Sequence, residues 1–368
     1  MKTALILTQP LGPNYGGILQ NYALQTVLLR FGYKPVNIDF WKKSTKRVVL
    51  NYVFFNRYIN SISCQAFSIF FKGVLPRIKY VKMDLFLRRR INFISIEKNE
   101  FKIRKRIKHA ENPIIIVGSD QVWRREYSPF LPFYFCSFLN PKTSCKHITY
   151  AASFGIDFWN YTDEETKMAS KLIKSFDAVS VREKTAIDLC KNHLGYDKAT
   201  WVPDPTMLLT QNDYSKLFPQ KSCDSEPYIA TYFLMPNEEK ENMIDTVLSS
   251  LKIKRIDLSP KLQTQPLKSP EEWLACIKHA AYVITDSFHG TVFSLLFHKQ
   301  FVVLHNTRCG ETRLREILDL FNIKDRLFDD SDSINILNSL KTALDYSAID
   351  KSIISFRKIG YDYLNNKL

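Results

Sequence analysis

Short apolar runs alternate along this 368-residue chain with segments whose apolar residues recur at helical spacing, and this alternation restricts the possible folds. The pattern predicts strands at residues 3–8 and 113–117 and a helix at residues 18–31. Pro203 and Pro205 then interrupt the chain, and a second strand–helix series begins beyond them. Strands that alternate with helices form parallel sheets with helices on both faces. The sequence therefore predicts an α/β protein.

The length of the chain is too great for one ordinary core and suits two α/β domains. We predict a first Rossmann-like domain over residues 1–206, with a basic and aromatic insertion at about 42–110. A second Rossmann-like domain is predicted over residues 207–345, and residues 346–368 form a terminal helix that could pack back on the first domain. Open parallel sheets bind ligands beyond the carboxyl ends of their strands, so we expect a ligand cleft between the domains.

Composition excludes several classes of protein. Apolar residues make up 45% of the chain and charged residues 24%, which is typical of a soluble globular protein and not of a disordered one. The seven cysteines are scattered, without metal-ligand spacing, so we expect reduced thiols in a cytoplasmic protein and no zinc site. The first apolar run is too short for a signal peptide, and no run approaches the roughly 20 residues that span a bilayer.

The net charge of +15 is concentrated in one window. Residues 77–108 contain twelve Lys or Arg and three acids. A solvated helix face, a nucleic-acid patch and a surface for anionic lipid headgroups are the three interpretations. No nucleic-acid recognition module occurs, so we predict no nucleic-acid partner. The aromatic residues of 48–75 favour peripheral membrane contact, although a buried helical pair would look similar.

Two loops in the first half of the chain carry residues suited to ligand binding. Gly16 and Gly17 precede the first predicted helix, where glycines let the backbone approach a ligand and free N–H groups attract an anion. A glycine turn before a helix is equally a structural feature. The second loop, after the strand at 113–117, contains Asp120, which is placed to orient or deprotonate a substrate hydroxyl. Asp120 is alternatively an N-cap of a following helix.

A third loop, at residues 285–294, contains His289 at a strand-to-helix corner next to Gly290. Histidine is the side chain best suited to give and take a proton near neutral pH. Asp286 could orient the imidazole or cap the helix. We therefore interpret His289 as a candidate acid–base residue.

Arginines follow two further predicted strands. Arg182 stands at the end of one strand, and Arg308 and Arg313 follow the strand near 301–304. A guanidinium binds carboxylate or phosphate through two parallel hydrogen bonds. A single arginine in such a place is more often a surface ion pair, but two strand ends facing one cleft indicate an anion clamp.

At these residues the sequence resembles the polysaccharide pyruvyl transferase family. The resemblance spans about residues 1–325 in the expected order. The matching segments are residues 14–25 (NYGGILQNYALQ), 117–123 (VGSDQVW), 150–155 (YAASFG), 180–185 (SVREKT), 203–208 (PDPTML) and 285–297 (TDSFHGTVFSLLF).

The resemblance implies a GT-B-like architecture and the transfer of a pyruvyl group from phosphoenolpyruvate to two hydroxyls of a sugar, forming a cyclic ketal. The acceptor implied is a surface-polysaccharide precursor on a polyprenyl-diphosphate carrier at the cytoplasmic face of the membrane, where residues 77–108 would contact anionic headgroups. No cofactor and no metal are predicted.

Carried over by position, the resemblance implies His289 and Asp120 as catalytic residues. The implied donor-binding residues are Arg182, Arg308, Arg313, Ser287, Gly290 and Thr291. The implied acceptor-binding residues are Asn14, Tyr15, Gly16, Gly17, Gln20, Ser119 and Gln121.

Two other functions remain compatible with the sequence, because a fold alone does not determine function. One is a GT-B-like glycosyltransferase that uses a nucleotide sugar. The other is a non-catalytic, lipid-associated assembly protein, which the basic and aromatic region would favour. The two enzymes differ in the donor that they bind. A pyruvyl transferase binds phosphoenolpyruvate, whereas a glycosyltransferase binds a nucleotide diphosphate.

Overall fold

The structure is a computed structural model that describes residues 2–12, 14–41, 79–97, 100–128, 130–139, 145–219, 226–260, 266–306 and 311–368. The aromatic residues of 48–75, together with Arg77, Lys98 and Arg308, lie outside these ranges. No helix within the described ranges is both long and apolar enough to cross a membrane.

The first domain is built on a five-stranded parallel sheet with the spatial order β3-β2-β1-β4-β5. Its strands are β1 (Thr3–Leu7), β2 (Lys34–Trp41), β3 (Phe93–Glu97), β4 (Ile114–Val117) and β5 (Lys146–Thr149). β4 consists entirely of β-branched residues and is fully buried, as expected of a central parallel strand. A short parallel pair, β6 (Ser180–Val181) and β7 (Thr200–Trp201), lies beyond β5.

Helices cover both faces of this sheet. The helices α1 (Tyr15–Arg30) and α2 (Val81–Arg90) pack on one face. On the opposite face lie α3 (Glu100–Lys108), α4 (Asp163–Ile173) and α5 (Thr185–Leu194).

The predicted insertion at about 42–110 contributes directly to this sheet. Its residues 93–97 form the edge strand β3, which pairs in parallel with β2. Within the same region α2 and α3 bury apolar residues against opposite faces of the sheet. The described part of the region is therefore integral to the first domain.

The second domain repeats the plan with a parallel sheet of order β12-β11-β10-β8-β9. Its strands are β8 (Tyr228–Tyr232), β9 (Lys254–Asp257), β10 (Tyr282–Thr285), β11 (Gln300–Leu304) and β12 (Leu327–Phe328). The helices from residue 211 to 341 are α6 (Gln211–Ser215), α7 (Glu238–Leu251), α8 (Pro270–His279), α9 (Phe288–Leu296), α10 (Glu311–Leu320) and α11 (Ser333–Lys341). The predicted α/β fold with two parallel sheets is confirmed.

A final helix, α12 (Tyr346–Lys367), returns to the first domain. The Tyr363 hydroxyl donates to the carbonyl oxygen of Thr149 over 2.9 Å. Phe356 lies against the ring of Trp201, with 4.6 Å between ring centroids. The chain thus completes the second domain and then returns, so that α12 covers the side of the first domain formed by β5 and β7.

The two domains meet at the carboxyl ends of their strands. Tyr15, from α1, stacks on Trp273, from α8, with 5.2 Å between ring centroids. The carboxylate of Glu316, in α10, accepts hydrogen bonds from the backbone N–H groups of Lys184 (2.6 Å) and Thr185 (2.9 Å) at the start of α5. Glu316 thus satisfies N–H donors that a helix start leaves free, and it joins the domains beside the loops that follow β6 and β10.

Candidate active site

His289 lies in the first turn of α9, directly after β10. The side chain of Ser287 caps this helix by accepting from the N–H of Gly290 over 3.4 Å. This geometry carries the imidazole to the domain interface, where its side chain is 10% exposed. A Cβ atom placed on Gly16 would lie 2.0 Å from Nδ1 of His289. Only glycine therefore permits the contact between α1 and this ring.

The first helix begins earlier than the sequence predicts. α1 starts at Tyr15, not near residue 18, so Gly16 and Gly17 lie in its first turn. Paired glycines favour a loop when only local preferences are considered. Here the close approach of His289 accounts for Gly16, which keeps a helical backbone.

Asp204 is the carboxylate that faces His289. Its Oδ2 lies 3.7 Å from Nε2 of His289 and accepts a 3.0 Å hydrogen bond from Nη1 of Arg182. Its Oδ1 accepts from the N–H of Thr206 (2.9 Å) and from the Thr206 hydroxyl (2.7 Å). Burial alone would raise the pKa of Asp204, but His289 and Arg182 hold that pKa well below its usual value.

Arg182 occupies the centre of a buried charge cluster. Besides its bond to Asp204, it donates to the Ser153 hydroxyl over 3.2 Å, and it lies 3.7 Å from Asp120 and 3.9 Å from Glu183. Its side chain is 1% exposed. Burial lowers the pKa of Arg182, yet the three carboxylates more than compensate and raise that pKa above its usual value. The guanidinium thus holds three acidic groups from different loops in fixed positions.

Arg313, from α10, reaches the same cluster from the second domain. The guanidinium carbons of Arg182 and Arg313 lie 5.2 Å and 5.7 Å from the centroid of the Phe288 ring. Burial and the neighbouring Arg182 lower the pKa of Arg313 to about 10. An anion bound here would relieve the repulsion between two buried cations.

A narrow cavity of about 20 Å³ adjoins both arginines. Its polar lining consists of Arg182, Glu183, Asp204, Arg313 and Glu316. Trp201, Phe288 and Phe356 form part of its apolar wall. The two domains and α12 all contribute to this space.

Asp120 stands on the other side of Arg182, with φ at 79°. Its Oδ1 accepts from the N–H of Gln121 over 2.9 Å. The alternative role as the N-cap of a following helix is wrong, because residues 121–127 form turns. A Cβ atom on Gly17 would lie 3.5 Å from Oδ2 of Asp120, so this carboxylate borders the first turn of α1.

Two further predicted acceptor residues converge near the end of β1. The hydroxyl of Thr8 donates to the Ser119 carbonyl over 2.5 Å and accepts from the Gln20 side chain over 3.4 Å. The Gln121 side chain instead accepts from Arg124 over 2.8 Å. Gln20 and Ser119 therefore lie together at the carboxyl edge of the first sheet.

The remaining predicted site residues lie at the starts of α1 and α9. Asn14 is exposed just before α1, without a side-chain capping bond. Tyr15 is stacked between domains, and its hydroxyl donates to the Lys268 carbonyl over 2.8 Å. Thr291 donates to the Ser287 carbonyl over 3.0 Å, and Gly290 packs against Thr285.

Asp286 has neither of the roles considered for it. Its carboxylate accepts from the N–H groups of Leu234 (2.6 Å) and Met235 (3.0 Å) and from Lys240 (2.8 Å). Leu234 and Met235 lie on the β8–α7 connection and Lys240 lies in the first turn of α7, so Asp286 holds that loop to the helix and does not orient His289. The helix cap is Ser287.

Sequence reasoning missed the roles of Asp204, Glu183 and Ser153. The carboxylate of Glu183 accepts from the Ser153 hydroxyl (2.7 Å) and the Gly155 N–H (2.9 Å). All three residues lie within segments that carry the family resemblance, but Asp204 sits between two prolines and looked like part of a linker. The signal in the sequence was that Asp204 is an acidic residue in a boundary segment that contains few other charges. Across the described ranges, no three His, Cys, Asp or Glu side chains group as metal ligands.

Solved structures of similar fold cover nearly the whole chain. Arabidopsis thaliana UGT89C1 complexed with UDP-L-rhamnose superposes with a TM-score of 0.55 at 9% identity, covering 100% of this chain and 99% of that one. UDP-GlcNAc 2-epimerase from Methanocaldococcus jannaschii gives 0.53 at 10% identity, covering 94% and 93%. The glycotransferase of kitacinnamycin gives 0.52 at 10% identity, covering 100% and 99%. At such identities the likeness shows the fold, which is that of the GT-B glycosyltransferases.

Sequence comparison supplies the second finding. The profile described as polysaccharide pyruvyl transferase matches residues 14–308, which include every described residue of the charge cluster except Arg313 and Glu316. Comparison with curated protein sequences gave no match.

Proposed function

Because the chain belongs to the polysaccharide pyruvyl transferase family, we propose that it transfers the pyruvyl group of phosphoenolpyruvate to two hydroxyls of one sugar, forming a cyclic ketal. The observation that carries this proposal is the convergence of Arg182 and Arg313, from different domains, beside the His289–Asp204 pair. The acceptor is a precursor of a surface polysaccharide.

The donor fits the cationic side of the site. Phosphoenolpyruvate carries a carboxylate and a phosphate, and arginine binds both in a bidentate manner. Arg182 and Arg313 both line the cavity, one from each domain, so both are candidates for direct contact with the donor. The amino terminus of α9, near His289, adds N–H groups that favour an anion.

The acceptor fits the opposite side of His289. Asp120, Ser119, Gln20 and the first turn of α1 present carboxylate, hydroxyl, amide and backbone groups at the carboxyl edge of the first sheet. These are the groups that bind sugar hydroxyls. We propose that Asp120 orients the attacking hydroxyl and that His289 exchanges its proton.

The proton balance of the reaction requires an acid–base residue. One sugar hydroxyl adds to the enol carbon of phosphoenolpyruvate and loses its proton, while the methylene carbon gains a proton and becomes a methyl group. The bond to phosphate then breaks, the second hydroxyl forms the second C–O bond, and its proton leaves with the phosphate. General acid–base catalysis by a positioned histidine typically contributes about 10²- to 10⁴-fold.

The test combines donor binding with turnover. Purified protein should be stabilised by phosphoenolpyruvate, by about 2.7 kcal/mol at 100 times its dissociation constant. With a panel of sugar acceptors it should release phosphate and add one pyruvyl unit to the sugar, detected by mass spectrometry. His289→Ala should still bind the donor and lose turnover by about 10²-fold or more.

His298→Ala is the matched control, since His298 follows the same helix and pairs with Asp350 on the surface. It should keep wild-type turnover. Wild-type turnover in His289→Ala would remove His289 from the mechanism.

A glycosyltransferase using a nucleotide sugar is the second candidate, favoured only by the shared GT-B fold. It predicts stabilisation by a nucleoside diphosphate or nucleotide sugar and none by phosphoenolpyruvate. That result would contradict the pyruvyl transfer proposed here.

The exposed side of α3 suits an anionic membrane surface, as expected if the acceptor is lipid-linked at the cytoplasmic face. Ile103 and Ile107 anchor α3 on the sheet, while Phe101 is 72% exposed. Phe101, Lys105 and Lys108 recur at intervals of four and three residues and share the outer side. Because α3 follows β3, it begins at the carboxyl edge of the first sheet, the edge that also carries Asp120 and the first turn of α1.

Vesicle binding tests this part of the proposal. Lys105→Glu with Lys108→Glu should abolish sedimentation with phosphatidylglycerol vesicles and leave turnover of a soluble acceptor unchanged. Lys167→Glu with Lys171→Glu, an exposed pair on α4, is the matched control and should retain vesicle binding. Equal losses for both pairs would indicate non-specific charge attraction and contradict a docking role for α3.

A further inference from the structure

We infer that Asp204 is the positioning residue of His289: it fixes the imidazole with the proton on Nε2 and leaves Nδ1 for the reacting proton. This inference rests on the proposed function of His289 as the acid–base residue. The segment between the two domains, which contains Asp204, would thus have a role in the chemistry of the site.

The carboxylate of Asp204 has little freedom to move. Oδ1 is bonded to both the N–H and the hydroxyl of Thr206, at 2.9 Å and 2.7 Å. Oδ2 is shared between Arg182 at 3.0 Å and His289 at 3.7 Å. The contact to His289 is an ion-pair distance, and a small movement of the ring on substrate binding converts it to a hydrogen bond.

The other acidic side chains near the site contact groups other than His289. Asp286 is bonded to Lys240 and to the loop after β8, and Glu183 is bonded to Ser153 and Gly155. Asp120 lies beyond Arg182, against Gly17. Among the carboxylates in the described ranges, Asp204 is the one with an oxygen within 4 Å of a ring nitrogen of His289.

The orientation decides which nitrogen reacts. A permanent carboxylate at Nε2 requires a proton on that nitrogen, so Nδ1 is the basic atom of the neutral ring. Nδ1 faces Gly16, on the side of the proposed acceptor residues. When Nδ1 takes the proton of a sugar hydroxyl, Asp204 stabilises the imidazolium, as the buried aspartate does in serine proteases.

The experiment is nitrogen-15 NMR of selectively histidine-labelled full-length protein at neutral pH, which distinguishes the two tautomers. His289→Gln identifies the His289 signals. In the wild type we expect the tautomer protonated on Nε2. The Nδ1-protonated tautomer would overturn the inference, and this measurement requires no variant of Asp204.

Asp204→Asn should shift His289 toward the other tautomer and lower kcat by about 10²- to 10⁴-fold, with KM for phosphoenolpyruvate changed less than about threefold. Asp286→Asn is the matched control. Asp286 is as buried as Asp204 and lies two residues before α9, the helix that carries His289, and its variant should keep the wild-type tautomer. If Asp204→Asn does not fold, Thr206→Val keeps the carboxylate and removes one bond that fixes it. That variant should lower kcat by about tenfold and leave KM unchanged.

An unaltered tautomer in folded Asp204→Asn, or equal effects of both asparagine variants, would contradict the positioning role. If the wild type transfers no pyruvyl group to any acceptor, the proposed function fails. The tautomer result still decides the role of Asp204 in that case.

Discussion

Replacing Gly16 with alanine tests the tightest contact between the domains. The added methyl group would lie 2.0 Å from Nδ1, 2.4 Å from Cε1 and 2.6 Å from Cγ of His289. Ordinary contact needs about 3.4 Å or more, so the ring would have to move by about 1.4 Å. Gly16 already has a helical backbone in α1, where alanine is favoured by up to about 1 kcal/mol. The change therefore acts through His289 and not through the helix.

We expect Gly16→Ala to lower kcat by about 10²-fold, because a displacement of about 1 Å in a reacting group has an effect of that size. The free energy of unfolding should fall by about 1 to 3 kcal/mol, the usual cost of overpacking. Steady-state kinetics and urea denaturation measure the two effects. Gly17→Ala is a graded comparison, because its methyl group would meet no atom closer than 3.3 Å. It should have the smaller effect on kcat.

A double-mutant cycle isolates the cause. In a His289→Ala background the ring is gone, so Gly16→Ala should be almost neutral for the free energy of unfolding. The coupling energy should approach the full cost seen in the wild-type background. An equal cost in both backgrounds would refute the reasoning that Gly16 is required by the imidazole.

Arg313→Gln should weaken phosphoenolpyruvate binding by about 10- to 100-fold in calorimetry, since a charge-assisted hydrogen bond contributes about 1.5 to 3 kcal/mol; unchanged affinity would remove Arg313 from the donor site. Tyr15→Phe deletes the hydroxyl that donates to Lys268 and should cost about 1 kcal/mol in urea denaturation. A raised KM for the acceptor would instead support the acceptor role predicted for Tyr15. The lowered pKa of Asp204 contributes stability that is complete above about pH 4 and is lost as the pH falls further. Asp204→Asn should therefore show a smaller loss of unfolding free energy between about pH 4 and pH 2.

Local patterns were sufficient for the fold and for the position of His289. Strand and helix periodicities predict the parallel sheets, and the corner after β10 follows from an apolar strand that ends in polar residues next to a glycine. The family was also predicted correctly, because its motifs occur in a fixed order along the chain.

The partners of these residues depend on contacts that local patterns do not contain. Asp286 and Asp204 are both aspartates near a helix start, yet Lys240 and two loop N–H groups hold Asp286, whereas His289 and Arg182 hold Asp204. The sequence likewise predicts Arg182 as an anion-binding residue at a strand end but does not reveal its acidic neighbours. Its three acidic neighbours come from segments as far as 62 residues away in sequence, at Asp120.

The path of α12 has a consequence for synthesis in the cell. The ribosome completes β7 about 145 residues before α12 begins, which corresponds to roughly 7 to 30 s of elongation. During that time Trp201 and the end of the first sheet lack the helix that later covers them. A nascent first domain thus shows apolar surface until the second domain has been made, and a delay in the second domain exposes the first to chaperones or aggregation.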